Sequence, residues 1–377
     1  MPNNFSFTNK NNLVMKNIYF NFINNKPYFW ALLLSICIGN SFIADAQVLK
    51  ASSQRTSSYT PNKKIYNIQG DFAIIGHTNL TLQDYGDDTT NANPMVYVDV
   101  DGDATTLNSS SATLALSTEN GAIPSCSKII FAGLYWTGRA HNPSDEASPQ
   151  TFTVTKGSVT KNFDKRKISL KGPNQSSYTT FIANSNDIYY PSASEGNMYA
   201  AYAEVTDYVR TYGVGSYTAA DIALVEGDGG GTGFYGGWSL IVVYENTKMK
   251  YRDVTIFDGY AYVAGSVTAS FELPVSGFNT ALSGPVEMKL GLISGEGDRG
   301  ISGDYFHIKK QSDATWLPLS HTGNSTGNFF NSSINTGGNT RNPNLLNNTG
   351  LDISMFTIPN TNKDVITNNQ TSTTFKF

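Results

Sequence analysis

Cysteine is nearly absent from this chain, which contains only Cys37 and Cys126 among its 377 residues. Cys37 lies in an N-terminal segment that we predict to be removed, so one thiol remains and no intramolecular disulfide can form. Stability must then come from the apolar core, from bound ions or from neighbouring domains. Cys126 precedes the apolar residues 129–131, and we expect it to be a buried, unreactive thiol.

Clusters of positive charge are missing as well. The chain has 26 basic and 30 acidic residues and a formal net charge of −4. A nucleic-acid surface requires clustered lysine and arginine, so we expect no nucleic-acid partner. The histidines show neither HxH nor HExxH spacing, which argues against a zinc site or a histidine nucleophile.

A positively flanked apolar stretch stands near the N-terminus, at residues 28–38. Lysines and no acidic residue precede it, and Ala44 and Ala46 follow it as the small-residue pair that signal peptidase recognises. The stretch is shorter than the roughly 20 apolar residues that a membrane span needs, which disfavours the alternative of an uncleaved anchor. We therefore predict that residues 1–46 are a signal peptide, that the mature chain has no transmembrane span, and that it is exported to the cell surface or the extracellular medium.

Sustained helical periodicity is scarce, whereas the 34 glycines, 21 tyrosines and 21 phenylalanines are typical of strands separated by turns. Strand-like runs recur from about Gly70 onwards, at residues 72–75, 80–82, 95–100, 113–116, 129–136, 151–154 and 168–170. This pattern predicts an all-β fold, a two-sheet, jelly-roll-like β-sandwich with one short connecting helix.

Three segments carry more specific predictions. Residues 238–244 are continuously apolar, which is typical of a central strand buried on both faces. Residues 221–225 lead into the glycine cluster 227–231, and with residues 238–244 they predict a strand pair around a glycine loop. Residues 206–213 begin with a capping threonine and end with glycine, which predicts a helix of one or two turns.

The domain organisation follows from composition. Residues 47–68 are polar and unpatterned, so we expect a flexible leader there and a single β-sandwich module over residues 69–377. Residues 323–349 are rich in Asn, Gly, Ser and Thr, which predicts a long loop. The chain stops at Phe377 inside an apolar alternation. We therefore expect a C-terminal truncation, with further domains in the natural protein.

Several sequence blocks form a recognisable set. They are residues 97–103 (YVDVDGD), 108–112 (NSSSA), 132–136 (AGLYW), 204–206 (EVT), 237–245 (GWSLIVVYE), 257–259 (FDG) and 296–300 (EGDRG). As a set they resemble the N-terminal module of large bacterial adhesin-like surface proteins. Such proteins often carry Ig-like repeats downstream, and those of gliding bacteria end in a secretion-sorting domain. The resemblance therefore implies export and a surface location, and it implies no reaction.

Asp99, Asp101 and Asp103 alternate with valines, so a strand would place the three carboxylates on one face. Carboxylate oxygens that lie close together favour a hard cation such as calcium. An EF-hand is excluded, because that loop would need glycine at Ala104 and glutamate at Ser110. Two interpretations stay open, a calcium site and an ordinary solvated turn.

Two further turns combine glycine with carboxylates. One contains Glu296, Asp298 and Asp304, which are weaker candidates for calcium ligands, and the other contains Glu226. Ordinary turn chemistry, in which Asp accepts from backbone amides and Gly supplies a positive φ, is the alternative for both. Glu226 and Glu296 are also the pair that a glycoside hydrolase could use as acid and as base or nucleophile.

Aromatic side chains supply the candidate ligand contacts. Tyr189, Tyr190 and Trp316 lie in polar segments close to proline, where their rings could stack on sugars. Trp136 and Trp238 lie within apolar runs and are expected in the core.

Two glycine motifs match enzyme signatures without the necessary context. Residues 231–236 match the dinucleotide-binding pattern, yet a predicted strand rather than a helix follows them. Residues 323–327 match the esterase elbow around Ser325, yet no predicted strand precedes them. We therefore assign no catalytic residue.

The sequence as a whole predicts an exported, non-catalytic module of an adhesin-like surface protein. We expect it to act by contact with a glycan, a surface or a partner protein, with calcium as the candidate cofactor. Two alternatives stay open. One is a secreted glycan-active enzyme of glycoside hydrolase type, and the other is a passive scaffold for downstream domains.

Overall fold

The computed structural model describes residues 46–59, 63–140, 150–191, 198–263, 270–295 and 297–377. These residues are predominantly β, with one short helix, α1 (Thr206–Tyr212), among them, so the predicted all-β fold is confirmed. The predicted signal peptide, up to residue 45, and Glu296 lie outside the described residues. Within the described ranges, no helix has the length and apolar character needed to cross a membrane.

The strands of the described residues are, in chain order, β1 (Ala46–Gln54), β2 (Ile65–Thr78), β3 (Leu80–Leu82), β4 (Met95–Tyr97), β5 (Ser109–Leu114), β6 (Lys128–Arg139), β7 (Thr151–Lys156), β8 (Val159–Asp164), β9 (Lys167–Lys171), β10 (Thr179–Ile182), β11 (Ile188–Tyr189), β12 (Met198–Glu204), β13 (Gly215–Ala220), β14 (Tyr235–Glu245), β15 (Tyr251–Thr255), β16 (Phe257–Val263), β17 (Glu272–Ser276), β18 (Met288–Gly295), β19 (His307–Lys309), β20 (Trp316–Pro318), β21 (Ile334–Asn335), β22 (Arg341–Asn342), β23 (Leu351–Ile358) and β24 (Ser372–Lys376).

Two antiparallel sheets form the main β-sandwich. One has six strands in the order β11-β12-β6-β14-β2-β15, and the other has five in the order β10-β9-β13-β5-β22. Their inner faces meet in the largest apolar core, since stacked sheets bury alternate side chains of each strand. Trp136 and Trp238 lie in this core and are each 1% exposed, as predicted.

Strand β14 is central to the six-stranded sheet. It lies between β6 and β2 and is buried on both faces, which confirms the prediction from its apolar run. Leu240 and Val242 face the main core. Ile241 and Val243 point to the opposite face, where they pack in two smaller apolar clusters.

A second, smaller sandwich lies against the outer face of the six-stranded sheet. It consists of a four-stranded sheet, β17-β24-β19-β20, and a three-stranded sheet, β18-β23-β21. Phe306, Ile308 and Phe375 lie in its own core. Ile353 of the three-stranded sheet packs with Ile74 of the large sheet. The described chain therefore contains two stacked sandwiches.

A buried hydrogen-bond network links the two main sheets. Trp238 Nε1 on β14 donates to Ser110 Oγ on β5 over 2.9 Å, and Ser110 Oγ donates to Asn79 Oδ1 over 2.6 Å. Asn79 Nδ2 donates to Asn108 Oδ1 over 2.8 Å, and Asn108 Nδ2 donates to the carbonyl of Ile222 over 2.9 Å. The four side chains are at most 1% exposed, so their polar groups are satisfied by one another inside the core.

Helix α1 confirms the helix predicted at residues 206–213. Gly213 follows it with a φ of 67°, a backbone conformation that favours glycine. The predicted cap is wrong, because Val205 is the N-cap residue and Thr206 is the first helical residue. Thr206 Oγ1 instead accepts from the amide of Ala132 over 3.0 Å, which ties the helix to β6.

The described residues of the range 47–68, namely 47–59 and 63–68, do not form the predicted flexible leader. β1 pairs antiparallel with β16, and β2 begins at Ile65 within the six-stranded sheet. The prediction failed because β1 is polar and is held by ion pairs of Lys50 and Arg55 rather than by an apolar face. The ordered module therefore begins before residue 69.

The strand predicted at residues 221–225 is irregular in the structure. Asp221 has a φ of 52° and follows β13, which belongs to the five-stranded sheet, whereas β14 belongs to the six-stranded sheet. Ile222 and Leu224 are fully buried, because the chain crosses between the two sheets here. The glycine cluster therefore lies in a crossover rather than in a hairpin loop.

Cys126 and residues 323–349 carried two further predictions from the sequence. Cys126 is exposed rather than buried, because it ends the 3₁₀ turn Pro124–Cys126 at the surface. Residues 323–349 are largely irregular, as predicted, with β21 and β22 as their short strands.

Candidate functional site

A cleft of about 2060 Å³ opens between the outer face of the six-stranded sheet, the β1–β16 ribbon and the second sandwich. We call it the outer cleft. β16 and β18 line it along their whole lengths, and residues of β2, β6 and β14 also contribute. The outer cleft therefore depends on packing between segments that are far apart in the chain.

The floor of the outer cleft follows from side-chain alternation along the central strands. Leu240 of β14 faces the main core, so its neighbours Ser239 and Ile241 face the cleft. Phe72 and Ile74 of β2 line the same surface. The face of the large sheet that points away from the main core is thus partly apolar.

One wall of the outer cleft exposes part of the second core. Met288, Leu290 and Leu292 of β18 pack against that core, are only half-buried and line the cleft. Phe271 and Phe377, whose ring centroids are 5.5 Å apart, line it too. The second core is therefore incompletely covered on the side of the cleft.

Charged side chains around the outer cleft are mostly acidic, with seven acidic residues against four basic ones. The acidic residues are Asp71, Asp253, Asp258, Glu272, Glu287, Asp298 and Asp304, and the basic residues are Lys50, Lys250, Arg252 and Lys289. Each basic residue forms an ion pair, namely Lys50 with Asp258, Lys250 with Glu287, Arg252 with Glu119 and Lys289 with Asp71. The positive charges are therefore neutralised locally, and negative charge remains.

Asp253, Asp298 and Asp304 are carboxylates that no described basic side chain neutralises. Burial raises the pKa of each above its ordinary value of 3.8. The amide of Asn91 donates to Asp298 Oδ1 over 3.0 Å and the amide of Phe330 donates to Asp304 Oδ1 over 2.8 Å, which offsets only part of the effect of burial. A ligand that brings a cation or a hydrogen-bond donor would stabilise the ionised carboxylates.

A compensated ion cluster borders the outer cleft. Asp258 on β16 accepts from Lys50 Nζ over 3.1 Å, from Arg55 Nε and from Tyr135 OH over 3.3 Å. Arg55 also donates to Asp187 Oδ1 over 2.8 Å. Burial acts to lower the pKa of Arg55. The charge of Asp258 and the hydrogen bond to Asp187 act in the opposite direction and prevail, so the pKa of Arg55 is raised above its ordinary value. Burial raises the pKa of Tyr135 well above its ordinary value of 10.0. The cluster pairs the acidic residues Asp258 and Asp187 with the basic residues Lys50 and Arg55. Because Lys50 lies on β1 and Asp258 on β16, these ion pairs hold β1 on β16.

The predicted calcium ligands do not share one face of a strand. β4 ends at Tyr97, so Asp99, Asp101 and Asp103 lie in the irregular segment that follows. Each carboxylate accepts a hydrogen bond from another residue of this chain. Ser109 Oγ donates to Asp99 over 2.9 Å, and Tyr178 OH donates to Asp101. The backbone amide of Thr105 donates to Asp103 over 2.8 Å. Burial raises the pKa of Asp99, whereas hydrogen bonds from Thr105 lower the pKa of Asp103.

Within the part of the chain that the structure describes, no group of three or more His, Cys, Asp or Glu side chains is arranged to hold a metal ion. Asp298 and Asp304, the weaker calcium candidates, line the outer cleft instead. Glu296 lies outside the described residues. The calcium site stays a prediction, and the observed geometry at residues 99–103 is a hydrogen-bonded turn.

The carboxylate pair of the glycosidase alternative is only half described. Glu226 accepts from the amide of Tyr97 over 2.8 Å and from Lys156 Nζ over 2.7 Å. It is not among the described residues that line the outer cleft. Its partner Glu296 is outside the description, so this pair stays a prediction.

The two predicted tyrosines differ in their surroundings. Tyr189 stacks on Tyr260 with ring centroids 6.2 Å apart, and Tyr260 lines the outer cleft. Tyr189 therefore borders the cleft. Burial raises the pKa of Tyr190 to about 12, and Lys165 Nζ lies 5.7 Å from its ring. Tyr190 consequently offers less free ring surface than its polar sequence context predicts.

Trp316 lies on β20, the edge strand of the four-stranded sheet. Lys376 Nζ lies 4.6 Å from its ring centroid and Lys309 Nζ lies 5.9 Å from it. The two lysines occupy positions that favour cation–π contacts. Trp316 is not among the described residues of the outer cleft, so it forms a separate aromatic surface.

Asp352 is a buried carboxylate that the sequence analysis missed. It lies on β23 and is 2% exposed. Its oxygens accept from the amides of Asn331 over 3.0 Å, Ser332 over 3.1 Å and Ser333 over 3.0 Å. Burial raises its pKa to about 7 against the effect of these amides, and the charge of Asp304 adds to the rise. The sequence did contain one signal of this buried carboxylate, because Asp352 is the only acidic residue in the largely apolar run of β23.

Fold and site together define a β-sandwich protein with an open, acidic and partly apolar cleft on the outer face of its large sheet. Comparisons of the chain with models of known protein families, with curated protein sequences and with solved structures find no match. The resemblance to adhesin-like surface modules therefore stays a prediction from the sequence blocks.

Proposed function

We propose that this chain is an exported cell-surface module that acts by contact, binding an extended ligand in the outer cleft without converting it chemically. The observation that carries the proposal is the size of the cleft, about 2060 Å³. Pockets for small molecules enclose about 300–1,000 Å³. The outer cleft therefore suits a segment of a polymer, a glycan or a polypeptide, better than a small metabolite.

The chemistry of the lining supports this proposal. Tyr135, Tyr260 and Phe257 bring aromatic surface to the cleft, and β18 brings half-buried aliphatic side chains. Such groups contribute to binding by apolar burial and by stacking. The signal-like residues 1–46 support a location outside the cell, where such ligands are available.

A binding screen tests the proposal. Purified protein is tested against a panel of polysaccharides and a peptide array, beside the double variant Asp298→Asn/Asp304→Asn and the control Asp207→Asn. Asp207 is exposed on α1 and lies outside the cleft. We expect binding to at least one panel member, and weaker binding of cationic members by the double variant alone. Failure of the wild type to bind any member would contradict the proposal and favour a passive scaffold.

A glycan-active enzyme is the second candidate function, and one observation favours it. Asp298 and Asp304 place two carboxylates with raised pKa in the same cleft, and acid catalysis of glycoside cleavage uses such a group. The polysaccharide panel is therefore also scored for release of reducing ends. Release that is abolished by Asp298→Asn or Asp304→Asn would favour the enzyme, whereas binding without release favours the contact module.

Calcium is proposed as a stabilising ion at Asp99, Asp101 and Asp103. The support is the presence of three carboxylates within five residues of one turn. Thermal unfolding in EGTA should then occur at a lower temperature than in calcium, and Asp101→Asn/Asp103→Asn should remove the difference. An unfolding midpoint that EGTA leaves unchanged would refute the calcium site.

A further inference from the structure

Strand β18 has one backbone edge that no described strand covers, and this edge faces the outer cleft. Among the described strands it ends the three-stranded sheet and pairs only with β23, over all 8 of its residues. Every residue of β18 lines the cleft. Alternate N–H and C=O groups of such a strand point away from its one partner. The edge therefore offers hydrogen-bond donors and acceptors to another strand.

β18 lacks two of the usual protections of an edge strand, a proline and a bulge. Proline, an outward-pointing lysine or a bulge normally prevents such a strand from pairing further. β18 contains no proline, and its pairing with β23 shows no register shift. Its lysine, Lys289, donates to Asp71 Oδ2 over 2.9 Å and to the carbonyl of Phe72 over 3.2 Å, both on β2. The lysine is thus held by the large sheet, away from the edge.

The side chains next to this edge form an incomplete apolar layer. Met288, Leu290 and Leu292 remain half-buried on the second core, and of the residues opposite them on β23, Ile358 and Ser354 are buried and Phe356 is half-buried. Phe257 on β16 is also only partly buried against the same core. A strand added beside β18 would cover this surface and remove its apolar area from water, which favours binding.

The length of the edge suits a specific ligand. The 8 residues of β18 span about 27 Å at the rise of an antiparallel strand. A peptide of the same length would form main-chain hydrogen bonds along the edge and place alternate side chains on the apolar layer.

Charge complementarity indicates the composition of that peptide. The four basic residues of the outer cleft are already paired with acids, whereas Asp253, Asp298 and Asp304 have no described basic partner. Lysine or arginine on the ligand would supply the missing positive charge. An acidic peptide would instead meet repulsion from the same carboxylates.

We infer that the outer cleft binds an extended, basic segment of a partner protein, added as a strand to the free edge of β18. The inference rests on the proposed function and narrows its ligand from polymers in general to a polypeptide. Apolar side chains at every second position cover Leu290 and Leu292, and basic side chains reach Asp298 and Asp304. A glycan fits less well, because the groups of a strand edge repeat at the spacing of another peptide backbone.

A fluorescent peptide of eight alternating valines and lysines tests the inference by fluorescence anisotropy with the purified protein. Two control peptides carry N-methyl groups on one or the other alternate set of amides, which keeps the side chains and removes one set of donors. We expect one methylated set to weaken binding by about tenfold or more and the other set to change it little. The double variant Asp298→Asn/Asp304→Asn should weaken binding of the unmodified peptide, and Asp207→Asn should not.

Absence of peptide binding, or equal loss with both methylated peptides, would overturn the inference. Binding of a panel polysaccharide without any peptide would refute the inference and leave the proposed function standing, whereas binding of neither ligand class would refute both. Hydrogen exchange of β18 provides the remaining readout and should slow only when the peptide is added. Slowing that grows with protein concentration in the absence of peptide would identify a second copy of the chain as the occupant and overturn the assignment to a partner.

Discussion

Asp352 shows how two opposing effects act on one residue. Its carboxylate accepts three backbone amides, which favours the ionised form, yet the side chain is only 2% exposed and burial favours the protonated form. Burial prevails, since the pKa rises from 3.8 to about 7. The folded protein therefore binds a proton at Asp352 more tightly than the unfolded chain does.

This difference predicts a pH dependence of stability. The stability that Asp352 contributes is present in full below pH 3.8 and is lost as the pH rises through about 7. Asp352→Asn cannot titrate, so the stability of the wild type relative to this variant should fall over that interval, by at most on the order of 4 kcal/mol. Urea unfolding of both proteins at several pH values measures it, with the exposed Asp207→Asn as control. A relative stability that rises with pH would show that the amide cradle outweighs burial.

Residue-level predictions succeeded where the neighbouring sequence determines the environment of a side chain. Trp136 and Trp238 are in the core because their flanking runs are apolar. The acidic candidates were harder, because the sequence does not show which carboxylates meet a base after folding. Asp258 meets two basic side chains, Lys50 of β1 and Arg55 just after it, about 200 residues earlier in the chain, whereas Asp298 meets none that is described. These differences arise only from tertiary contacts.

At the scale of elements, β1 depends on the Asp258 cluster. The side chains of Arg55 and Asp258 are 13% and 12% exposed, so the pair is largely removed from water. Loss of one partner from such a pair leaves the other charge buried and costs about 3 kcal/mol or more. Because β1 pairs with β16 alone among the described strands, the cost should appear as local opening of β1.

Asp258→Ala should therefore raise hydrogen exchange of residues 46–54 by about 100-fold, the equivalent of about 3 kcal/mol. Glu245→Ala is the matched control, since its partner Lys128 is 72% exposed and the pair lies away from β1. Exchange of β1 that stays at the wild-type rate in Asp258→Ala would show that strand pairing, and not the ion cluster, holds the ribbon.

The central strands predict a second effect at this scale. A Cβ on Gly237 would lie 2.2 Å from the carbonyl oxygen of His77 on the adjacent β2, whereas a Cβ on Gly231 meets nothing within 4 Å. Gly237→Ala should destabilise the protein by about 3 kcal/mol or more, and Gly231→Ala should stay within about 0.5 kcal/mol of the wild type. Urea unfolding compares them. Equal midpoints for the two variants would refute the close packing of β2 on β14.

Elements with a local cause were predictable, and elements set by distant partners were not. The run at residues 238–244 and the helix at residues 206–213 have their signals within their own sequence. The apolar character of residues 221–225 predicted a strand. In the structure it instead reflects burial, since the chain crosses between the two main sheets at this point. The sequence of β1 predicted a flexible leader because the residues that hold this strand, those of β16, lie about 200 residues further along the chain.

At the scale of the whole molecule, composition and turn spacing sufficed for the all-β fold and for the two-sheet sandwich. The second sandwich and the outer cleft were not predictable in the same way. The walls of the cleft combine β1 with β16 and β18, which follow β1 by more than 200 residues in the chain. Alternation within one strand carries no information about such pairings.

The outer cleft is the surface through which we propose that this protein makes contact. Hydrogen exchange with and without the best-binding panel member locates the bound ligand on the protein without prior choice of a site. We predict slower exchange confined to residues that line the cleft, above all residues 251–263 and 288–295. Slowing centred on the turn at residues 99–103 or on Trp316, or no slowing at all, would refute the outer cleft as the contact surface.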